Sequence, residues 1–202
     1  MSAQPVEPQG STATYYQLRD LANVIVDEAE RRGERVRADV ANQEIHVAMM
    51  SPSNPHGHVV SALILQIGGQ DDRAVLIAEG RVEHPGLGLC RTADLLALSR
   101  DAYDQQDDDA ACFAPTVSLA VEVVSKSNPG NDYVVKLREY PRMGVPVYAI
   151  IDPRDGTVSV HWEPGTRGGE PCYLQSLRYG FGDAVPMGPW TVDTAKFPRY
   201  RG

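Results

Sequence analysis

Two short stretches of this chain are almost wholly apolar, and each carries a single carboxylate: Thr92-Ala93-Asp94-Leu95-Leu96-Ala97-Leu98 and Leu119-Ala120-Val121-Glu122-Val123-Val124. Runs of that length and composition read as strands over 92–98 and 118–125 that are covered on both faces, as in a sheet with helices packed on it. A charge in the middle of such a strand is costly unless a cation or a hydrogen-bond network compensates it. Any fold this chain adopts must therefore provide for both carboxylates.

Elements able to cover the sheet are present. Over 15–32, Leu18, Leu21, Ala22, Ile25, Val26 and Ala29 recur at helical spacing, and Arg31-Arg32-Gly33 closes the segment. Over 56–67, Val59, Val60, Leu63, Ile64 and Ile67 share one helical face, with Gly68-Gly69 expected to stop it. A third helix is expected over 132–143, kinked or restarted at Pro141. Further strands are expected over 74–78 and 145–151. A hairpin is expected from 35–39 and 44–50, and an antiparallel pair from 157–162 and 172–177 with a polar connection over 163–170. Three prolines make 185–199 an extended closing segment, and 99–116, with Asp101, Asp104, Asp107, Asp108 and Asp109, reads as a solvated loop. The pattern predicts one α/β domain over 15–202 with a central mixed sheet flanked by helices, after a disordered lead-in over 1–14.

Several chemistries are excluded. Gly86-Leu87-Gly88 stops short of a dinucleotide fingerprint, and the chain has neither a phosphate-cradling Gly-rich loop with Lys-Ser/Thr nor a Gly-x-Ser-x-Gly elbow. Cys90, Cys112 and Cys172 lack zinc-site spacing and are expected to be reduced structural thiols. The sequence shows no apolar run long enough to span a membrane and no leader pattern, so the cytoplasm is the expected compartment. With 19 Lys+Arg against 27 Asp+Glu the formal charge is -8, opposite to a generic binder of nucleic acid or anionic lipid. A polyanionic substrate would require a local basic groove or a metal ion.

Asp94 and Glu122 together point to one shared cation. Paired carboxylates suit a hard ion such as Mg²⁺, which takes oxygen ligands and keeps several waters. Lys136, on the helix after the Glu122 strand, could reach back to the strand end, orient the attacking water and steady charge building on a phosphate. The alternative is structural: an internal Glu122–Lys136 salt bridge with Asp94 at a strand tip. His56-Gly57-His58 offers a second metal-binding pattern, although alternate histidines at a helix start are more often capping or surface groups.

These residues also carry a family resemblance. Val121-Glu122-Val123-Val124-Ser125, then Asp132, Lys136, Tyr140 and Gly144 at steps of four, then Val145-Pro146-Val147-Tyr148-Ala149-Ile150-Ile151-Asp152-Pro153, resembles the Uma-two family of restriction-endonuclease-like proteins in the PD-(D/E)XK nuclease superfamily. The resemblance runs from about Tyr15 to Phe197. It implies a restriction-endonuclease-like core and a metal-dependent endodeoxyribonuclease. In that reading Asp94 matches the aspartate of the motif, Glu122 its second acidic ligand and Val123 a carbonyl ligand. Val124 occupies the usual lysine position, so Lys136 is the substitute; Asp39 and His56 take second-tier places. The implied cofactor is Mg²⁺ or Mn²⁺ and the implied partner DNA, with no membrane and with a homodimer among the assemblies allowed. The sequence departs from the family at Ala93, at Pro115-Thr116 and at Ser125-Lys126-Ser127. A catalytically silent nuclease-like fold acting as an interaction module is the competing reading.

Overall fold

The structure is a computed structural model that describes residues 12–49, 53–106, 111–126 and 129–200. Its elements are α1 (Thr12–Arg31), β1 (Val36–Ala41), β2 (Glu44–Met49), α2 (Asn54–Gln70), β3 (Ala74–His84), β4 (Leu89–Ser99), α3 (Arg100–Tyr103), β5 (Cys112–Phe113) and β6 (Val117–Val123). A π-helical stretch, Asn131–Lys136, leads into α4 (Leu137–Met143), followed by β7 (Val147–Asp152), β8 (Thr157–Arg167), β9 (Glu170–Gly180), β10 (Ala184–Met187) and β11 (Trp190–Asp193). The expected lead-in lies outside the described residues as far as residue 11, and Thr12-Ala13-Thr14 already form the first turn of α1. Asp107, Asp108 and Asp109 of the expected acidic loop also lie outside them.

The chain divides into two compact units, Met1–Ser51 with Arg81–Thr92, and Pro52–Gly80 with Ala93–Gly202. In the first, β1 and β2 form the expected hairpin, turning at Asn42 and Gln43, both at positive φ as a two-residue hairpin turn requires. Helix α1 buries Tyr15 and Ala22, and the Tyr15 hydroxyl donates to Glu83. Cys90 and Cys112 are buried, and none of the three cysteines is in a disulfide.

The second unit holds the two apolar strands in a mixed sheet of order β4-β6-β7-β8-β9, antiparallel except for the parallel β6–β7 pair. The parallel pair is connected through α4, as a parallel connection requires. Alternation along the strands sorts their side chains. Leu95, Ala97, Leu119, Val121, Val123, Ala149, Ile151, Val158 and Val160 pack with Val59, Leu63 and Ile67 of α2 in one core cluster. Glu122, one step out of that phase, projects to the other face, where it meets Lys136 and Tyr140. An α/β fold with a mixed sheet flanked by helices is what the apolar pattern predicted.

Four local expectations are corrected. Helix α2 does not stop at Gly68-Gly69 but runs to Gln70. The Gln66 and Gln70 side chains each exchange two hydrogen bonds with the β11 backbone, at Asp193 and Thr191. Those tertiary bonds offset the roughly 1 kcal/mol that each glycine costs a helix. The polar connection expected over 163–170 is strand: β8 and β9 continue to a two-residue turn at Gly168-Gly169, at φ +62° and +87°. The closing segment is a hairpin of β10 and β11. At the third helix, departure from α geometry falls before Pro141, in the π-helical turn, and Gly144 ends the helix in the left-handed region at φ 85°.

Asp152, at the end of β7, accepts from the Arg154 backbone N–H at 3.0 Å, from its guanidinium at 2.6 Å and from the Tyr133 hydroxyl at 3.0 Å. Burial alone would raise its pKa, but these donors outweigh burial and lower it. A carboxylate whose folded pKa is depressed contributes stability above its unfolded pKa and loses it as pH falls through the folded value. Arg154→Met is therefore expected to cost about 1 kcal/mol at neutral pH, a modest figure because the arginine is partly exposed. The gap from wild type should close below about pH 4, where the carboxylate protonates in the unfolded chain and then in the folded one. Urea denaturation at several pH values measures this.

Candidate active site

The register Leu95↔Val121 and Leu96↔Ala120 between β4 and β6, carried one residue outward, sets Asp94 opposite Glu122 on the same sheet face. The two carboxylates thus come from neighbouring strands of one ladder. Asp94 accepts from the Val123 N–H at 2.7 Å, which ties it to the end of β6. Its other oxygen lies 3.4 Å from His56 Nε2, in the first turns of α2. Glu122 is almost wholly buried, and Oε1 accepts from Lys136 Nζ at 2.7 Å and from the Tyr140 hydroxyl at 3.0 Å.

The helical segment supplies the rest. Asp132, Lys136 and Tyr140 are spaced by four, so one face delivers all three to the β6 strand. Lys136 is fully buried, and its Nζ also lies 4.0 Å from Asp132 Oδ1. Tyr148 of β7 donates to the Asp132 carbonyl at 3.0 Å and packs edge-on against Tyr140, with ring centroids 4.9 Å apart. A π-helical turn carrying Asp132 and Lys136 is a type of local irregularity often found at functional sites.

The electrostatics follow from burying Asp94, Glu122 and Asp132 near one ammonium. Burial raises the pKa of Glu122 well above the usual carboxylate range; Lys136 opposes this, while Asp94 and Asp132 add to it. Burial also acts to raise Asp94, but His56, Lys136 and the Val123 N–H outweigh it and leave the group below its ordinary value. His56 is the mirror case: desolvation would lower its pKa, and Asp94 more than restores it, so the imidazole holds its proton more firmly than in water.

Asp94, Glu122, Val123, Lys136 and His56 are thus gathered at one place, and the Glu122–Lys136 ion pair is closed. Asp39 is engaged elsewhere, in the first unit: its Oδ1 accepts from the Thr92 N–H and hydroxyl, each at 2.9 Å, and its Oδ2 lies 3.5 Å from Arg91. His58 parts from His56 and lines a surface groove. Asp132, Tyr140 and Tyr148 were missed as site residues. The signal for the first two was available in their spacing around Lys136; none was available for Tyr148, whose role depends on the β6–β7 pairing.

Residues 15–185 match the family Uma2, described as "Putative restriction endonuclease". Among solved structures, a putative nuclease belonging to DUF820 from Anabaena variabilis ATCC 29413 is similar, with a TM-score of 0.58 and 14% identity. The likeness covers 74% of this chain and 80% of that one, and at such identity it is a likeness of fold. No curated protein matches the chain in sequence. Among the described residues, no helix is long and apolar enough to cross a membrane.

Proposed function

This chain belongs to the Uma2 family of restriction-endonuclease-like proteins, and on that premise we propose that it is a divalent-metal-dependent endonuclease that hydrolyses phosphodiester bonds of DNA. The observation that carries the reading is the cross-strand placement of Asp94 and Glu122 on one face, with Lys136 2.7 Å from Glu122.

The residues fit a hard cation. All the anionic donors are oxygens, and buried carboxylates outnumber the ammonium beside them, so the ionised form of Glu122 is disfavoured without further positive charge. Among the described residues no group of three or more His, Cys, Asp or Glu side chains is gathered to hold a metal. Two carboxylates and a backbone carbonyl, with waters completing the shell, are a donor set of the kind Mg²⁺ takes. Asp94, Glu122 and the Val123 carbonyl would hold Mg²⁺ or Mn²⁺. When bound, the ion supplies Lewis acidity toward the phosphate and a lowered pKa for water.

The chain's own groups do the remaining work. Lys136, whose Nζ is held 2.7 Å from Glu122, would orient the attacking water and oppose the charge that accumulates on phosphorus-bound oxygens. Its burial removes competing solvent, which strengthens that interaction. Tyr140 fixes Glu122 by its hydroxyl, and His56 with the Val123 N–H fixes Asp94, so neither carboxylate must reorganise during the reaction.

The closed Glu122–Lys136 pair favours one competing reading, an interaction module with a nuclease-like fold and no chemistry. Release of fragments from plasmid and from single-stranded DNA, with Mg²⁺ or Mn²⁺ at low salt, decides between them. Metal-dependent cleavage by the wild type is expected. A cooperatively folding protein that cleaves neither substrate under any of these conditions would establish the module.

A further inference from the structure

A groove of about 640 Å³ opens on the second unit, lined among others by Ser53, His58, Lys126, Lys196, Arg199 and Tyr200. Three of these side chains are basic, and no acidic residue is among those described as lining it, although acids outnumber bases 27 to 19 in the whole chain. A concentration of positive charge against the sign of the protein focuses the local field on an anion.

The groove is built rather than incidental. Its lining includes the closing segment after β11, and that segment is tied down at several points. Phe197 is buried edge-on against Phe181, the Tyr200 N–H donates to the Pro153 carbonyl at 2.9 Å, and the Tyr200 hydroxyl donates to the Val124 carbonyl at 2.8 Å. Lys126 Nζ stands 5.5 Å from the centre of the Tyr200 ring, a cation–π contact that steers a flexible side chain. Arg199 lies over Gly156 so closely that a Cβ there would come within 2.3 Å of its Nε. The groove also adjoins the candidate active site. Val124, which Tyr200 holds, follows the Val123 whose N–H binds Asp94, and Ser53 directly precedes the helix that carries His56.

We infer that this groove is a docking track for the phosphodiester backbone of a nucleic-acid strand, with Lys126, Lys196 and Arg199 as its phosphate contacts. The inference rests on the nuclease reading of the adjoining site and extends it, naming where the strand lies beyond the scissile bond. Lysines and an arginine at the rim of an open groove make sequence-independent, salt-sensitive contacts. Such a track holds a strand in place without selecting its bases.

The test separates docking from cleavage by working in EDTA. Fluorescence anisotropy with the full chain would follow a short labelled DNA oligonucleotide, single-stranded in one arm and duplex in the other, across a salt series. The double variant Lys126→Glu/Lys196→Glu is expected to weaken binding in at least one arm by about tenfold or more at low salt, and to reduce the log–log salt slope by about 1 to 2. Arg31→Glu/Arg32→Glu, which makes the same change in net charge at the exposed end of α1, should leave binding within about twofold. Lys126→Arg should bind as the wild type does.

Undiminished binding by the double variant, with an unchanged melting temperature, would overturn the track, as would an equal loss in the α1 control. So would groove-dependent capture of polyglutamate in place of the oligonucleotide, which would make the site one for an acidic protein segment. If the wild type docks DNA through the groove but never cleaves it with metal, the track stands and the nuclease reading fails. If it cleaves and the double variant cleaves and binds alike, the nuclease reading stands and the track fails.

Discussion

Asp94→Asn should remove metal binding and cleavage together. The substitution keeps the shape of the side chain and can still accept from the Val123 N–H, so the sheet end should survive it. What it removes is one of the two charges proposed to hold the ion, and the several kcal/mol that an ion contributes to the transition state translate to a loss on the order of 10³-fold or more in rate. Glu122→Gln should show the same loss of activity with a larger cost in stability. Lys136, fully buried, then loses its nearest carboxylate and keeps Asp132, 4.0 Å away, and Asp94 as counter-charges, the loss of a charge-assisted bond worth roughly 1.5–3 kcal/mol. Calorimetric titration with Mg²⁺, run beside thermal melting, reads both quantities. A folded Asp94→Asn protein that binds Mg²⁺ with wild-type affinity would remove the ion from this site.

Lys136→Met should separate binding from turnover. Methionine fills much of the space of the lysine stem and cannot donate, so the carboxylates keep their places while the donor aimed at the reaction is gone. Metal affinity should be largely retained and single-turnover cleavage should fall about 10²-fold or more, the usual consequence of losing one preorganised transition-state donor. Both substitutions leave Glu122 facing Asp94 and Asp132 without the ammonium, and Lys136→Ala should lower the rate equally while adding a cavity. A wild-type rate in Lys136→Met would assign the role to another cation.

The parts of this molecule visible in its sequence are those where burial alone decides. Apolar strands with one carboxylate each could only belong to a covered sheet, while the pairing of Leu95 with Val121, and so of Asp94 with Glu122, waited on the β4–β6 register. Asp94, Glu122 and Lys136 were found because a charge in such a setting requires a partner. The elements missed are those held by polar contacts between distant segments. Nothing local to Gly68-Gly69 tells that Gln66 and Gln70 will clasp a strand more than a hundred residues later. Asp39 took its second-tier place from the family resemblance alone, and its partners Thr92 and Arg91 in the first unit could not be read from the sequence. The basic groove was equally hidden, since Lys126, Lys196 and Arg199 are separated by up to 73 positions in a chain of opposite net charge.

The hairpin of β8 and β9 outruns its neighbour. β7 pairs with β8 only as far as Trp162, while the β8–β9 ladder continues to Arg167 and Glu170. Beyond Trp162 the arm has partners on one side alone, and its tip is mostly exposed. Amide protons near Gly168 should exchange with deuterated solvent through small openings that leave the rest of the sheet intact, while those of β6 and β7 wait for global unfolding. A limited protease should nick the tip first and leave two fragments still bound together. Such a nick would provide a site for grafting a peptide or a reporter domain far along the chain from Asp94 and Glu122.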